Sequence, residues 1–213
     1  MTIIGVDPAS REVPRRALQV FEEGGLVAFP TDTFYALGAA ARDADAVARV
    51  FAVKRRPREE PIPILVGDRD QWRALVADLP EAALRLADRF WPGALTIVCR
   101  RGPGVPLILA GGGDTIGVRQ PGLPIAVGLC GALGGPIVGT SANTHGVPAP
   151  VTAALVALDL GAEIDLILDG GRCPLARAST VIDVTRTPAA ILRPGAVSVD
   201  ALREVLGEVA GPR

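Results

Sequence analysis

Residues 26–29, Leu-Val-Ala-Phe, form a short apolar run that stops at Pro30 and gives way to Thr31-Asp32-Thr33. Four buried-type residues ended by proline predict a buried strand, because proline can neither continue a ladder nor follow a helical residue easily. A helix-like stretch comes next, and then a cationic knot, Lys54-Arg55-Arg56-Pro57-Arg58, stiffened by Pro61 and Pro63. The pattern repeats along the chain. β-prone runs predict strands over 62–66, 94–100, 116–119, 136–139, 164–168, 179–184 and 190–193. Apolar stripes at helical spacing predict helices over 10–23, 68–77, 81–90, 123–133 and 151–160. Asp43 can cap the helix-like stretch before the cationic knot, with stripe Ala44, Val47 and Phe51 continued by Lys54, whose side chain should therefore run along the protein body. Ser198 can cap a last helix with stripe Leu202, Val205, Leu206 and Val209. Helices and strands alternate, but some strands are consecutive. The expectation is one α/β domain over 1–213, a twisted mixed parallel/antiparallel sheet flanked by helices.

Composition narrows the function classes. Of 213 residues 49% are apolar, enough for a sizeable core, and 22 Lys+Arg are balanced by 23 Asp+Glu. A generic nucleic-acid binder carries a basic excess, so any cationic site here is local. Residues 120–158 contain no Asp, Glu, Lys or Arg, yet Pro121, Pro124, Pro136, Pro148 and Pro150 interrupt them, so no membrane span is expected. The N-terminus has neither a basic start nor a long apolar run, and no signal peptide is expected. Cys99, Cys130 and Cys173 are widely spaced beside a single histidine, which argues against a structural zinc site and for buried thiols in a reducing, cytoplasmic setting.

No GxxxxGK[ST] phosphate loop and no GxGxxG after a strand is present, and the Gly111-Gly112-Gly113 run is not followed by a helix pattern. A bound nucleotide would have to be held by side-chain charge, for which Lys54, Arg56 and Arg58 are the candidates. The competing reading is that they complement a helix C-terminus and stay solvated. Ser141 and Asn143 follow a strand directly, as do Thr31 and Thr33, and Arg193 ends one. Ligands of open α/β sheets sit at such strand ends, although capping and turn formation are the commoner roles of Ser, Thr and Asn. His145 lies in a loop and no GxSxG elbow exists, so a catalytic triad is not expected. Asp32, Asp114 and Asp169 have no spacing that singles out a metal site.

Taken together, PTDTFYALG (30–38), KRRP (54–57), WPGALTIV (91–98), DTIGVR (114–119), TSAN (140–143), STVIDV (179–184) and LRPG (192–195) resemble the YrdC-like family, in that family's order and over nearly the whole chain. The resemblance implies a mixed-sheet fold with a concave, positively charged face. It implies a nucleotidyltransferase reaction in which L-threonine, bicarbonate and ATP, with Mg2+, give threonylcarbamoyl-AMP and pyrophosphate for threonylcarbamoyladenosine in tRNA. Carried over by motif, Thr31, Arg119, Gly139 and Ser179 would hold threonine. Lys54, Arg58, Thr115, Ser141, Asn143, Ala149 and Arg193 would hold ATP, with Lys54 and Arg56 as the catalytic cations and no protein metal site. Hand-over of the product to a tRNA threonylcarbamoyl-transfer complex is implied as well. Departures from the family's pattern are Ala36 for a usual Gly, Leu65 and Leu123 where many relatives carry His, His145 for a frequent Ser, and Ala149-Pro150 for a usual Ser-Pro. The extra C-terminal domain of longer relatives is expected to be absent. Two alternatives stay open, a double-stranded RNA or tRNA binding module without catalysis, and a carbamoyl-AMP-forming relative.

Overall fold

The computed structural model describes residues 1–211. In chain order the elements are β1 (Thr2–Gly5), α1 (Arg15–Glu22), β2 (Val27–Phe29), β3 (Ala36–Gly38), α2 (Ala44–Lys54), β4 (Ile64–Leu65), α3 (Arg69–Arg73) and α4 (Glu81–Phe90). They continue with β5 (Leu95–Arg100), a 3-10 turn (Leu107–Ala110), β6 (Thr115–Arg119), α5 (Pro124–Ala132), β7 (Ile137–Val138), β8 (Thr140–Ser141) and α6 (Ala153–Leu160). Last come β9 (Leu166–Asp169), β10 (Thr180–Asp183), β11 (Ala189–Arg193), α7 (Val199–Leu206) and β12 (Val209–Ala210).

The strands form two mixed sheets, a five-stranded one in the order β1-β9-β2-β3-β8 and a seven-stranded one in the order β12-β11-β10-β5-β6-β4-β7. The mixed α/β class is as expected, but the single sheet divides in two. The division falls at Gly139, between β7 in one sheet and β8 in the other. Strand alternation sets what each face carries. On β5 and β6 the residues Leu95, Ile97, Cys99, Ile116 and Val118 enter the main core, together with Trp72, Leu86 and Phe51 from the helices. Thr96, Val98, Thr115, Gly117 and Arg119 point the other way, into a hollow. No helix among the described residues is long and apolar enough to cross a membrane.

Several boundaries differ from the sequence expectation, each for a local reason. The helix-like stretch before the cationic knot is α2, but residues 36–38, for which no strand was expected, form β3, because the turn at 31–34 sends the chain back antiparallel to β2. Helix α1 starts at Arg15 and not near Ser10, whose hydroxyl accepts from the Glu12 amide in a turn of its own, and Pro14 occupies the cap position. Helix α3 stops at Arg73, since Val76 bridges to Arg101 and the Ala77 amide donates to the Arg100 carbonyl. Gly207, at φ 80°, ends α7, so Val209 lies in β12 beside Ala189 and not on the helix stripe. Strand β1, mostly exposed at the sheet edge beside β9, carries no alternation that would have marked it.

Candidate active site

The hollow, about 360 Å3, lies between the two sheets. Its floor is the outward face of the seven-stranded sheet, with Leu65 of β4, Thr96 and Val98 of β5, Thr115, Gly117 and Arg119 of β6, and Val181 of β10. Thr31, Thr33, Ala36, Thr140, Ser141 and Ala149 approach from the other sheet and its loops, and Arg56, Ser179 and Arg193 complete the lining. Thus Thr31, Arg56, Thr115, Arg119, Gly139, Ser141, Ala149, Ser179 and Arg193, singled out from widely separated motifs, meet on one surface.

Arg119 is 6% exposed and held on three sides. Its Nε donates to the Gly93 carbonyl at 2.9 Å, Nη1 to Thr33 Oγ1 at 2.9 Å and Nη2 to Asp32 Oδ1 at 2.5 Å. Burial lowers its pKa while Asp32 pushes it back up, and the guanidinium stays charged because it starts above any working pH. Three of its five N–H groups are engaged, leaving one on each terminal nitrogen for a planar anion. Asp32 also accepts from the Gly122 amide at 2.7 Å, so the carboxylate that aims Arg119 is itself fixed.

The hydroxyl relay beside it has an assignable direction. Thr31 Oγ1 donates to the Phe34 carbonyl at 2.7 Å, so Thr33 must donate across the 3.0 Å contact to Thr31 while accepting from Arg119. The Thr33 amide also donates to Thr31 Oγ1. The Thr31 hydroxyl therefore has its proton and both lone pairs in use, and what it offers a ligand is a fixed turn and a methyl group. On the opposite wall, Arg193 Nη2 donates to the Ser179 carbonyl at 2.9 Å and to Ser179 Oγ at 3.0 Å, and Ser179 Oγ lies 2.9 Å from Thr96 Oγ1.

Lys54, Arg58 and Asn143 do not line the hollow. Arg58 is exposed on the loop after α2. Lys54, 1% exposed, does run along the body, and its Nζ donates to the carbonyls of Ser141 at 2.5 Å and Asn143 at 2.6 Å. It works beneath the surface, pinning the 141–143 loop from below. Burial, helped by Arg56, lowers its pKa to about 8. The buried Asn143 donates to the Thr144 and Val147 carbonyls, so it too shapes that loop. Arg56 donates to the Glu60 and Pro61 carbonyls and pairs with Glu60 at 3.1 Å.

Among the described residues no Asp or Glu lines the hollow, and Arg119 and Arg56 both depress the pKa of Arg193, after burial, which puts Arg193 within electrostatic reach of each. Such a surface suits a polyanion. Among the described residues no group of three or more His, Cys, Asp or Glu is placed to hold a metal. Cys99, Cys130 and Cys173 are buried, and burial pushes their thiols up to about 12, 12 and 11. Thr96, Gly117 and Asp32 were not among the expected ligand residues. For Thr96 the signal was present, as the polar member opposite Leu95 and Ile97 in an alternating strand. Ala36 sits in a strand with ordinary backbone, so no glycine is needed there. Leu65 supplies an apolar wall, and His145 is exposed, its Nε2 3.8 Å from Glu60.

The model of the Sua5/YciO/YrdC family, described as "Telomere recombination", matches residues 19–195. The threonylcarbamoyl-AMP synthase of Pyrococcus abyssi is 43% identical over 195 residues, covering 92% of this chain and 57% of that protein. The threonylcarbamoyl-AMP synthase of Bacillus subtilis is 37% identical over 196 residues, covering 91% of this chain and 56% of that protein. The crystal structure of P. abyssi Sua5 complexed with L-threonine superposes with a TM-score of 0.94 at 40% identity, over 99% of this chain and 62% of that one. The chain thus spans little more than half the length of those two synthases. The motifs, the two-sheet hollow and these likenesses agree, and the chain belongs to the Sua5/YciO/YrdC family.

Proposed function

We propose that this chain condenses L-threonine, bicarbonate and ATP to threonylcarbamoyl-AMP and pyrophosphate, supplying a tRNA threonylcarbamoyl-transfer step in the cytoplasm. The observation that carries this reading is one carboxylate-free hollow lined by Arg56, Arg119 and Arg193 together with Thr115, Ser141 and Ser179. The two synthases and the threonine-bound Sua5 structure point the same way.

The chemistry needs little beyond placement. The threonine amine takes up bicarbonate as an N-carboxylate with loss of water. That carboxylate attacks the α-phosphorus, and pyrophosphate leaves. Arg119, aimed by Asp32, receives the threonine carboxylate on its two remaining N–H groups. Arg56 and Arg193 lie where phosphate charge would be neutralised, and Lys54 keeps Ser141 in place. Among the described residues no lining carboxylate would hold an ion, so Mg2+ would come bound to ATP and would add its positive charge to that of Arg56 and Arg193. Holding both substrates in register replaces a covalent enzyme intermediate.

The test is mass-spectrometric detection of threonylcarbamoyl-AMP with each substrate omitted in turn. Product that requires threonine, bicarbonate and ATP together is expected. Pyrophosphate release indifferent to threonine, or carbamoyl-AMP formed from carbamoyl phosphate, would overturn the reading.

A further inference from the structure

Among the described residues two glycines line the hollow, and a direct clash excludes a side chain at only one of them. A Cβ built on Gly139 would lie 2.3 Å from Leu65 Cγ, so packing forbids a side chain there. Gly117 is different. Its φ is not positive. The three nearest atoms to a built Cβ are all side-chain carbons, Thr96 Cγ2 at 3.1 Å, Pro63 Cβ at 3.5 Å and Val98 Cγ2 at 3.8 Å. It sits mid-strand in β6, paired with Val98, where glycine costs roughly 0.5–1 kcal/mol relative to a residue with a side chain. The backbone does not ask for it, and packing asks only that Thr96 Cγ2 give by a few tenths of an ångström.

The position says what does. Thr115, Gly117 and Arg119 share the strand face that floors the hollow, about 7 Å apart in sequence steps of two. Glycine inside a strand marks a place where something approaches the backbone closely. We propose that Gly117 is a substrate-positioning residue, its bare backbone receiving the junction between the nucleotide's α-phosphate and the threonine-derived carboxylate. This rests on the function proposed above. A methyl group at 117 would stand on the floor between Thr115 and Arg119, where that junction would lie.

The experiment is Gly117→Ala, with unfolding temperature, separate ATP and threonine binding, and product formation all measured. The chain should stay folded, since alanine suits an extended backbone and Thr96 Cγ2, at 3.1 Å, need give by only a few tenths of an ångström. Product formation should fall on the order of 100-fold, the scale of an ångström-sized misplacement of reacting groups, and fall further than either binding affinity. Turnover within about twofold of the parent would overturn the inference, twofold being far below that scale. The double variant Thr96→Ser/Gly117→Ala removes the single close protein contact and keeps the hydroxyl facing Ser179. Measured against the Thr96→Ser single variant, continued loss of activity in it supports the inference, while restored activity assigns the glycine to Thr96 packing and overturns it. If the parent chain makes no product, the proposed activity fails by itself. Gly117 is then judged on ATP and threonine binding, which the alanine should weaken and which unchanged affinity would contradict.

Discussion

Arg119 and Asp32 form a pair that cannot be read one partner at a time. Both are buried, and removing either leaves a charge without compensation, which costs about 3–5 kcal/mol. Arg119→Ala therefore mixes instability with lost binding, and Arg119→Lys is the cleaner probe. Lysine keeps the charge and surrenders the fork. Threonine affinity should drop roughly 10- to 100-fold, one charge-assisted hydrogen bond's worth, with a smaller loss of unfolding temperature than Arg119→Ala, since the charge beside Asp32 is kept while the fork's contacts to Gly93 and Thr33 are not. Calorimetric titration with threonine checks it, and unchanged affinity would count against the assigned role. Lys54 makes a prediction in pH. Its folded pKa, about 8, is below its unfolded value of about 10.4, so the folded state binds its proton less tightly. The penalty is fully present below pH 8 and is relieved as pH rises toward 10.4. Compared with Lys54→Met, the parent should gain stability across that window, by no more than about 3 kcal/mol. Thermal unfolding of both at pH 7 and pH 9.5 reads it. The direction of Lys54 was legible in the stripe of α2, but its partners were not, because backbone carbonyls 87 and 89 residues away leave no trace in side-chain pattern.

At the scale of elements, the join between β7 and β8 matters most for the site. The Gly139 amide donates to the Pro63 carbonyl at 2.9 Å while Leu65 lies over its α-carbon. Gly139→Ala should destabilise by about 1–3 kcal/mol through overpacking, and Leu65→Ala in the same chain should recover part of that. Additive losses in denaturant unfolding would contradict the contact. Helix α2 offers a second check, for Asp43 accepts from the Asp45 and Ala46 amides, and Asp43→Ala should cost about 1 kcal/mol. That cap was readable in the sequence, as were β5 and β6, because their local chemistry and their final environment agree. Strand β3 was not. Ala36-Leu37-Gly38 has weak strand propensity and becomes a strand only because β2 and β8 flank it. Strand β12 fails in the same way, two residues made extended by Gly207 and by pairing with β11.

At the scale of the molecule, the convergence of separated motifs was partly visible before any coordinates, since Thr31, Thr33, Ser141, Asn143 and Arg193 lie at strand ends, whereas Thr115, Arg119 and Ser179 entered through the family resemblance. The division into two sheets was not, as propensity gives strands but not partners, and the division is what makes the hollow three-dimensional. It lets Ser141 and Ala36 face Arg119 and Thr115 across a gap instead of lying beside them. The most direct measurement is a crystal of this chain soaked with threonine and Mg2+ with a non-hydrolysable ATP analogue. The account predicts both ligands in the one hollow, the amino-acid carboxylate on Arg119 and the phosphates beside Arg56 and Arg193. Ligands in separate places, or a threonine carboxylate turned away from Arg119, would contradict it.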